Sequence, residues 1–512
     1  MVTNGSPSLR KSNKEDVKFL LAPIGVAVGI AVFIYVSTRI TAALRISQLH
    51  QWISFVPVSI LVGLGVMLLV IFLPVFISGI YFLKRRGAFG QSERLVVNGV
   101  YQYARNPMYV GISMMICGTG LLILNTGVLI AGIAWFVLSS IQCKREEHEL
   151  ENRFGDQYRS YKNQVPMFFP KARSILQAGT PGIYPSGNAE KSVALLERIR
   201  IGEGDQWILE RSENIDNPII LYLHGGPGTS QMTSNRRNTQ HLEKYFTAVN
   251  WDQRGAAKSY KAIKEVGRMS INQFVEDTRE LTRYLLKKFR KEQLVLVGHS
   301  WGSVIGAMTA ARYQELYCCY VGIEQAVNME HGEAVSYQWT LEQAKERDDS
   351  KVVRALKKIG PPPYDGDWQR KTITERSCLA RMGGEFHSSK NGALGYVLRN
   401  LIFSREYSLI DRVNFFRGIL GSMKYLWPEL LKADLAKSVP ELKVPAFFME
   451  GRFDYECPSN LAAEYFAQMK APSKELIWFE KSAHMPNAEE RDLFNLLMVE
   501  KILPTATNQN FD

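Results

Sequence analysis

The chain has 512 residues, a net charge of +12 from 62 Lys and Arg against 50 Asp and Glu, and six cysteines. That length holds two or three domains. The positive excess suits an anionic membrane surface; no nucleic-acid motif is found, and the cysteines show neither metal spacing nor pairing, which sets aside zinc modules and disulfide scaffolds.

In chain order, the first third has the composition of a membrane protein. Phe19 to Ile40 is almost wholly apolar and long enough to span a bilayer. Ile53 to Leu83 is a second apolar stretch, longer than one upright crossing needs. Tyr109 to Ile141 reads as two helices joined near Asn125-Thr126-Gly127, each short for a span. The expectation is an all-α domain of about four spans. Arg10, Lys11, Lys14 and Lys18 precede the first span, Lys84, Arg85 and Arg86 follow the second, and Lys144 and Arg145 follow the last. Arg39 and Arg45 on the other side weaken this bias only slightly. Basic residues mark the cytoplasmic side, so a multi-pass integral membrane protein is expected, its N-terminus and everything after Gln142 in the cytoplasm.

Two polar segments fall on that side. One is Asn98-Gly99-Val100-Tyr101-Gln102-Tyr103-Ala104-Arg105-Asn106-Pro107-Met108-Tyr109; the other starts at Glu146-Glu147-His148-Glu149 and continues to Phe154-Gly155 and the pair Tyr158 and Tyr161. Together they resemble the isoprenylcysteine carboxyl methyltransferase and phospholipid methyltransferase family. Asn106 stands where that family more often has His, which keeps a donor and an acceptor but no protonatable ring. The resemblance implies S-adenosylmethionine as cofactor, held by Tyr101, Arg105, Asn106, Pro107, Tyr109, Glu146 and Glu147. A sulfonium ligand with an ammonium and a carboxylate needs both signs of partner. Arg105 suits its carboxylate, and Glu146 or Glu147 its ammonium.

Gly179-Thr180-Pro181-Gly182 and Pro185-Ser186-Gly187 break any helix and mark a linker at 171–192, between a membrane domain at 1–170 and a second domain at 193–512. In the second domain Pro218 to Leu223 reads as a buried strand ending in His224-Gly225-Gly226-Pro227-Gly228. Thr247 to Trp251 is another, ending in Asp252-Gln253-Arg254-Gly255. Leu294 to Val297 runs into Gly298-His299-Ser300-Trp301-Gly302, the pattern that throws a serine into a strained strand-to-helix turn. Strand patterns stop between Asn328 and about Pro440, where a helical cap is expected at about 328–440. They resume at Val444 to Glu450, before Gly451-Arg452-Phe453-Asp454, and at Leu476 to Phe479, before Lys481-Ser482-Ala483-His484.

The order Ser, Asp, His, each after a strand, is that of an α/β-hydrolase fold with a mostly parallel sheet. A serine hydroxyl is a poor nucleophile at neutral pH, so His484 takes its proton and Asp454 orients and stabilises the imidazolium. The backbone N–H groups of Gly226 and Trp301 are the expected oxyanion donors. From about Glu197 onward the chain resembles the proline iminopeptidase-like branch of α/β-hydrolases, on His224 to Gly228, Asp252 to Gly255, Gly298 to Gly302, Asp454 and His484. That resemblance implies a serine peptidase removing an N-terminal residue from short peptides, and it also admits amidases and esterases; it implies neither a cofactor nor a metal. Glutamates holding the substrate amine are sought at Glu324, Glu342 and Glu385. The alternative is an esterase or lipid hydrolase whose N-terminal domain serves only as an anchor.

Overall fold

The computed structural model describes residues 31–32, 34–44, 48–49, 55–84, 95–97, 99–170, 179–183, 191–261, 269–387, 392–402 and 404–507. Most of the expected first span and most of the expected linker lie outside these residues. The chain divides into two compact units, Met1–Leu176 and Gln177–Asp512.

In the first unit, α1 (Val58–Lys84) is uncharged up to its last residue. Its 27 residues extend about 40 Å at 1.5 Å per residue, against a hydrocarbon core of about 30 Å. The helix therefore fits a tilted crossing. α2 (Pro107–Leu122) follows, with Pro107 at a first-turn position where a missing N–H costs nothing. α3 (Thr126–Phe154) starts at Asn125, whose side chain accepts from Val128 N at 3.1 Å. It continues well past the expected end at Ile141, so one helix carries both an apolar half and the segment with Glu146 and Glu147. α4 (Asp156–Gln164) returns after Gly155. Among the described residues two helices, α1 and α3, are long and apolar enough to cross a membrane, while α2 is a shorter apolar helix. α1 and α2 approach closely because the crossing uses glycine: a Cβ on Gly65 would come 2.7 Å from Gly118 O.

The second unit is built on an eight-stranded sheet in the order β1-β2-β4-β3-β5-β6-β7-β8. β1 (Val193–Ile201) and β2 (Gly204–Ser212) form an antiparallel hairpin that adds to the sheet through β4. β3 (Ile219–Leu223), β4 (Thr247–Asp252), β5 (Leu294–His299), β6 (Tyr317–Ile323), β7 (Ala446–Gly451) and β8 (Lys474–Phe479) are parallel. β3, β4, β5 and β7 are buried along their whole length, as strands covered on both faces must be. α5 (Ile271–Phe289) and α6 (Trp301–Arg312) pack on one face through Phe274, Leu281, Leu285, Val304 and Ile305.

Between β6 and β7 the chain is helical: α7 (Met329–Glu346), α8 (Ser350–Ile359), α9 (Trp368–Met382), α10 (Gly392–Ile402) and α11 (Leu409–Leu430). The two ends of this insert are tied together, Leu435 N donating to Val327 O at 3.0 Å and Asn328 Nδ2 to Asp434 Oδ2 at 3.1 Å. The insert thus leaves and re-enters the sheet at one place, beside the strand ends that carry Ser300 and Asp454.

Candidate active site

Ser300 occupies the turn between β5 and α6 with φ 53 and ψ −119, a conformation costly for a residue with a Cβ. The flanking glycines make the turn possible. A Cβ on Gly302 would lie 2.2 Å from Leu223 O, and one on Gly298 would lie 2.4 Å from Gly302 O. Ser300 N donates to Ile323 O at 3.0 Å. The Gly225-Gly226 loop after β3 runs against the serine, since a Cβ on Gly225 would sit 3.2 Å from Ser300 Cβ. Trp301 Nε1 donates to Gln253 Oε1 at 3.0 Å, and Gln253 in turn bonds both the carbonyl and the ring of His224, so the Asp252-Gln253-Arg254-Gly255 turn supports the serine from behind.

Asp454 and His484, in the loops after β7 and β8, meet at 2.8 Å between Oδ2 and Nδ1. The other carboxylate oxygen, Oδ1, accepts from Glu456 N at 2.7 Å and Cys457 N at 3.1 Å. Despite burial, the imidazole beside it and these N–H groups hold Asp454 below the usual carboxylate range. Burial alone would lower the pKa of His484, but the carboxylates of Asp454 and Glu456 outweigh it and raise it to about 9. Glu456 Oε2 lies 3.7 Å from Nε2, the ring nitrogen opposite Asp454. Ser300 Oγ turns toward Cys457 Sγ at 3.6 Å and makes no hydrogen bond to His484 among the described residues. His299 is the neutral neighbour. Its Nδ1 faces Gln231 Nε2 at 2.9 Å and its Nε2 faces His484 O at 2.8 Å, and burial lowers its pKa to about 3.

The three glutamates expected to meet a substrate amine fall in three different places. Glu324 is fully buried behind the site: Oε1 accepts from Gly451 N at 2.7 Å, and the carboxyl abuts Asp454. Burial and the neighbouring Asp454 push its pKa well up, and its side chain is turned into the fold behind Asp454. Glu342 is exposed on α7 and accepts from Gln338 at 2.5 Å, a solvated turn of helix away from the site. Glu385 is the one brought in. Its carbonyl accepts from His484 N at 3.2 Å, and burial together with the Glu456 charge raises its carboxyl pKa to about 8.

Sequence reasoning missed the rest of this acidic wall. Arg376 on α9 pairs with Glu333 on α7, with Glu375 at 2.5 Å and with Glu456 at 3.7 Å. Trp339 stacks on Tyr455 at 4.0 Å, packing α7 against the Asp454 loop. The local signal for Glu456 was its place in Asp454-Tyr455-Glu456-Cys457, where a tight turn around the aspartate must bring the next side chains back toward it. Arg376 and Glu333 meet only through cap folding and leave no local pattern.

In the first unit the two motif segments do converge. Arg105 Nε donates to Glu147 Oε1 at 2.8 Å, and Nη1 to Lys162 O at 2.9 Å and to Val165 O. Asn106 Nδ2 reaches Glu147 at 3.4 Å, Tyr109 OH donates to Glu146 Oε1 at 2.6 Å, and Tyr161 OH donates to Tyr101 O at 2.6 Å. Arg105 is therefore an internal clamp, holding the segment after α4 to the start of α2, and is not offered to a ligand carboxylate as expected. Glu147 is engaged by the same clamp. Glu146, which accepts from Tyr109 and Gln142, keeps free lone pairs on a carboxylate, so this donor set fits the ammonium end of S-adenosylmethionine.

The family described as the alpha/beta hydrolase fold matches residues 218–344. Probable aminopeptidase YbaC of Bacillus subtilis is 35% identical over 305 residues, covering 60% of this chain and 95% of that protein. The chain belongs to the α/β-hydrolase family. A proline iminopeptidase of Heyndrickxia coagulans is 24% identical over 294 residues, covering 54% of this chain and 88% of its own length. The hydrolase unit thus aligns with its relatives almost end to end, cap included. The phospholipid methyltransferase family matches residues 59–157 of the first unit. There the protein-S-isoprenylcysteine O-methyltransferase of Schizosaccharomyces pombe is 35% identical over 77 residues, 15% of this chain and 33% of that protein.

Proposed function

We propose that the hydrolase unit is an aminopeptidase of the proline iminopeptidase type, anchored to a membrane by the first unit and working through Ser300, His484 and Asp454. Rotation about the Cα–Cβ bond of Ser300 swings Oγ from Cys457 toward His484 Nε2. The neutral imidazole removes its proton as Oγ attacks the carbonyl, and the N–H groups of Gly226 and Trp301 receive the oxyanion. The imidazolium, held by Asp454, then protonates the leaving amine; water repeats the cycle on the acyl-enzyme. Glu385, aided by Glu456, takes the substrate ammonium. The observation that carries this proposal is the serine in a strained turn beside a histidine already bonded to a buried aspartate, at the C-terminal ends of parallel strands.

The experiment uses detergent-solubilised chain and Ser300→Ala with aminoacyl-naphthylamides, free or blocked at the amine, and short p-nitrophenyl esters. Cleavage lost in Ser300→Ala and on amine blocking is expected. Ester cleavage with no need for a free amine would overturn the aminopeptidase assignment.

The first unit is further proposed to be multi-pass, with the hydrolase unit on the cytoplasmic side, and to bind S-adenosylmethionine through Glu146. That cofactor would supply an electrophilic methyl group. A second reading, in which the first unit is an anchor alone and the hydrolase an esterase for lipid-like substrates, draws on the engagement of Arg105 and Glu147 with each other. Binding of labelled S-adenosylmethionine to membranes, lost in Glu146→Gln, separates the two.

A further inference from the structure

A surface helix in water presents polar residues outward. α8 obeys this: its exposed positions include Lys351, Arg354, Lys357 and Lys358, while Val352 and Leu356 are buried. α11 does not. One side buries Phe415, Met423, Leu426 and Trp427. Its outward side exposes Leu409 (75%), Ile410 (70%), Val413 (52%) and Leu420 (53%), with Phe416 in line, Tyr425 exposed further round the helix, and Ile402 at the end of α10 beside them in the chain. Positions 409, 413, 416 and 420 recur at helical spacing, so they form one stripe about three turns long. Scattered exposed apolar residues are ordinary; a contiguous stripe marks a surface that is covered in use.

The charges around the stripe say what covers it. Among the described residues of α10 and α11, the exposed charged side chains are Arg399, Arg417, Lys424 and Glu429; three are basic, and Glu429, near the end of α11, accepts from Ile271 N at 3.0 Å. The other acids of this stretch are turned inward and paired: Glu406 with Arg236 at 2.7 Å, and Asp411 with Lys258 at 2.9 Å. An apolar stripe with Arg417 and Lys424 beside it is the pattern of a helix lying in the interface of an anionic bilayer, with aliphatic and aromatic groups among the acyl chains and guanidinium or ammonium groups at the headgroup phosphates. The same chain carries helices long and apolar enough to cross a membrane, so a bilayer is at hand.

We propose that the outward face of α11 in the cap docks on the anionic surface of the membrane. The catalytic cap would then sit at the lipid interface, giving amphipathic substrates a route to the site from the bilayer. This holds whichever bond the site cleaves.

The test uses the full chain in nanodiscs. The six native cysteines are buried or half-buried, so Leu420→Cys takes a polarity-sensitive dye preferentially, with the parent chain as blank and Lys345→Cys on α7 as the control. The discs contain phosphatidylcholine with or without phosphatidylglycerol and a spin-labelled lipid, and thermal unfolding of each labelled chain must match the parent. The expected result is a blue-shifted, several-fold brighter dye at 420 in anionic discs, quenched by the spin-labelled lipid, with no change at 345. Arg417→Glu with Lys424→Glu should abolish the dependence on phosphatidylglycerol. A water-like dye at 420 in every disc overturns the proposal. So does a shielded dye that the lipid spin label does not quench, which would mean that protein, a second copy or the first unit, covers the stripe.

Discussion

Replacing Glu456 by Gln should move the pH dependence of the hydrolase in a direction that a purely structural glutamate would not. Its carboxylate lies 3.7 Å from His484 Nε2, and its negative charge favours the imidazolium. Two unit charges at that distance interact by roughly 1 kcal/mol in water and roughly 4 kcal/mol at the effective dielectric of a protein surface. Glu456 is 25% exposed and shares its charge with Arg376 at 3.7 Å, so about 1–2 kcal/mol remains, or about one pKa unit. On the proposed mechanism the free enzyme needs neutral His484, whose pKa is raised to about 9, so kcat/KM should rise with pH along a limb centred near there. The other groups facing the ring are Asp454, Glu385, His299 and Glu450, all retained in the variant. The assay is kcat/KM against pH for a p-nitrophenyl ester without an amine, corrected for spontaneous hydrolysis, so that the substrate does not titrate. In Glu456→Gln the limb should fall by about one unit, and turnover at neutral pH should rise by up to about tenfold. A limb that stays in place, or moves upward, refutes the reasoning.

Glu324→Gln should fold and turn over nearly as the parent does, because an amide still accepts from Gly451 N; Glu324→Leu leaves that buried N–H without its acceptor, while Asp454 keeps His484 and two backbone N–H groups, and should cost about 1–3 kcal/mol by thermal or denaturant unfolding. His484 at about 9 and Glu385 at about 8 both lie above their ordinary values, 6.5 and 4.5. The stability linked to their protonated forms is complete below those ordinary values and lost as pH rises through about 8 to 9, so Tm should fall from neutral to alkaline pH. In the first unit, Glu147→Ala strands the buried Arg105 guanidinium and should cost about 3–5 kcal/mol, read as faster proteolysis in detergent, whereas Glu146→Gln should leave the proteolytic pattern unchanged.

The parallel strands were legible because burial on both faces leaves continuous apolar runs such as Leu294 to Val297, and because the serine turn cannot be made without Gly298 and Gly302. The β1–β2 hairpin was not. Its strands carry Glu197, Arg198, Glu210 and Arg211, and their charge hides that Glu210 and Arg211 are buried against Lys288 and Glu243. The same blindness to burial misplaced Glu324, which reads as a surface acid in sequence and lies beneath Asp454 in the fold. Arg105 was recognised as part of a cluster, but its partner is 42 residues away and two of its acceptors are backbone carbonyls, which no side-chain pattern records. The exposed face of α11 was hidden for the converse reason: an apolar helix in a cap reads as core until its outward side is seen.

The central claim is that Ser300 is an activated nucleophile, and covalent capture tests it most directly. The intact chain and Ser300→Ala are treated with a fluorophosphonate, and the adduct is counted by mass and mapped by peptide. The account predicts one adduct per chain, on Ser300, and none in Ser300→Ala. Equal labelling of the two chains, or an unlabelled parent, would contradict it.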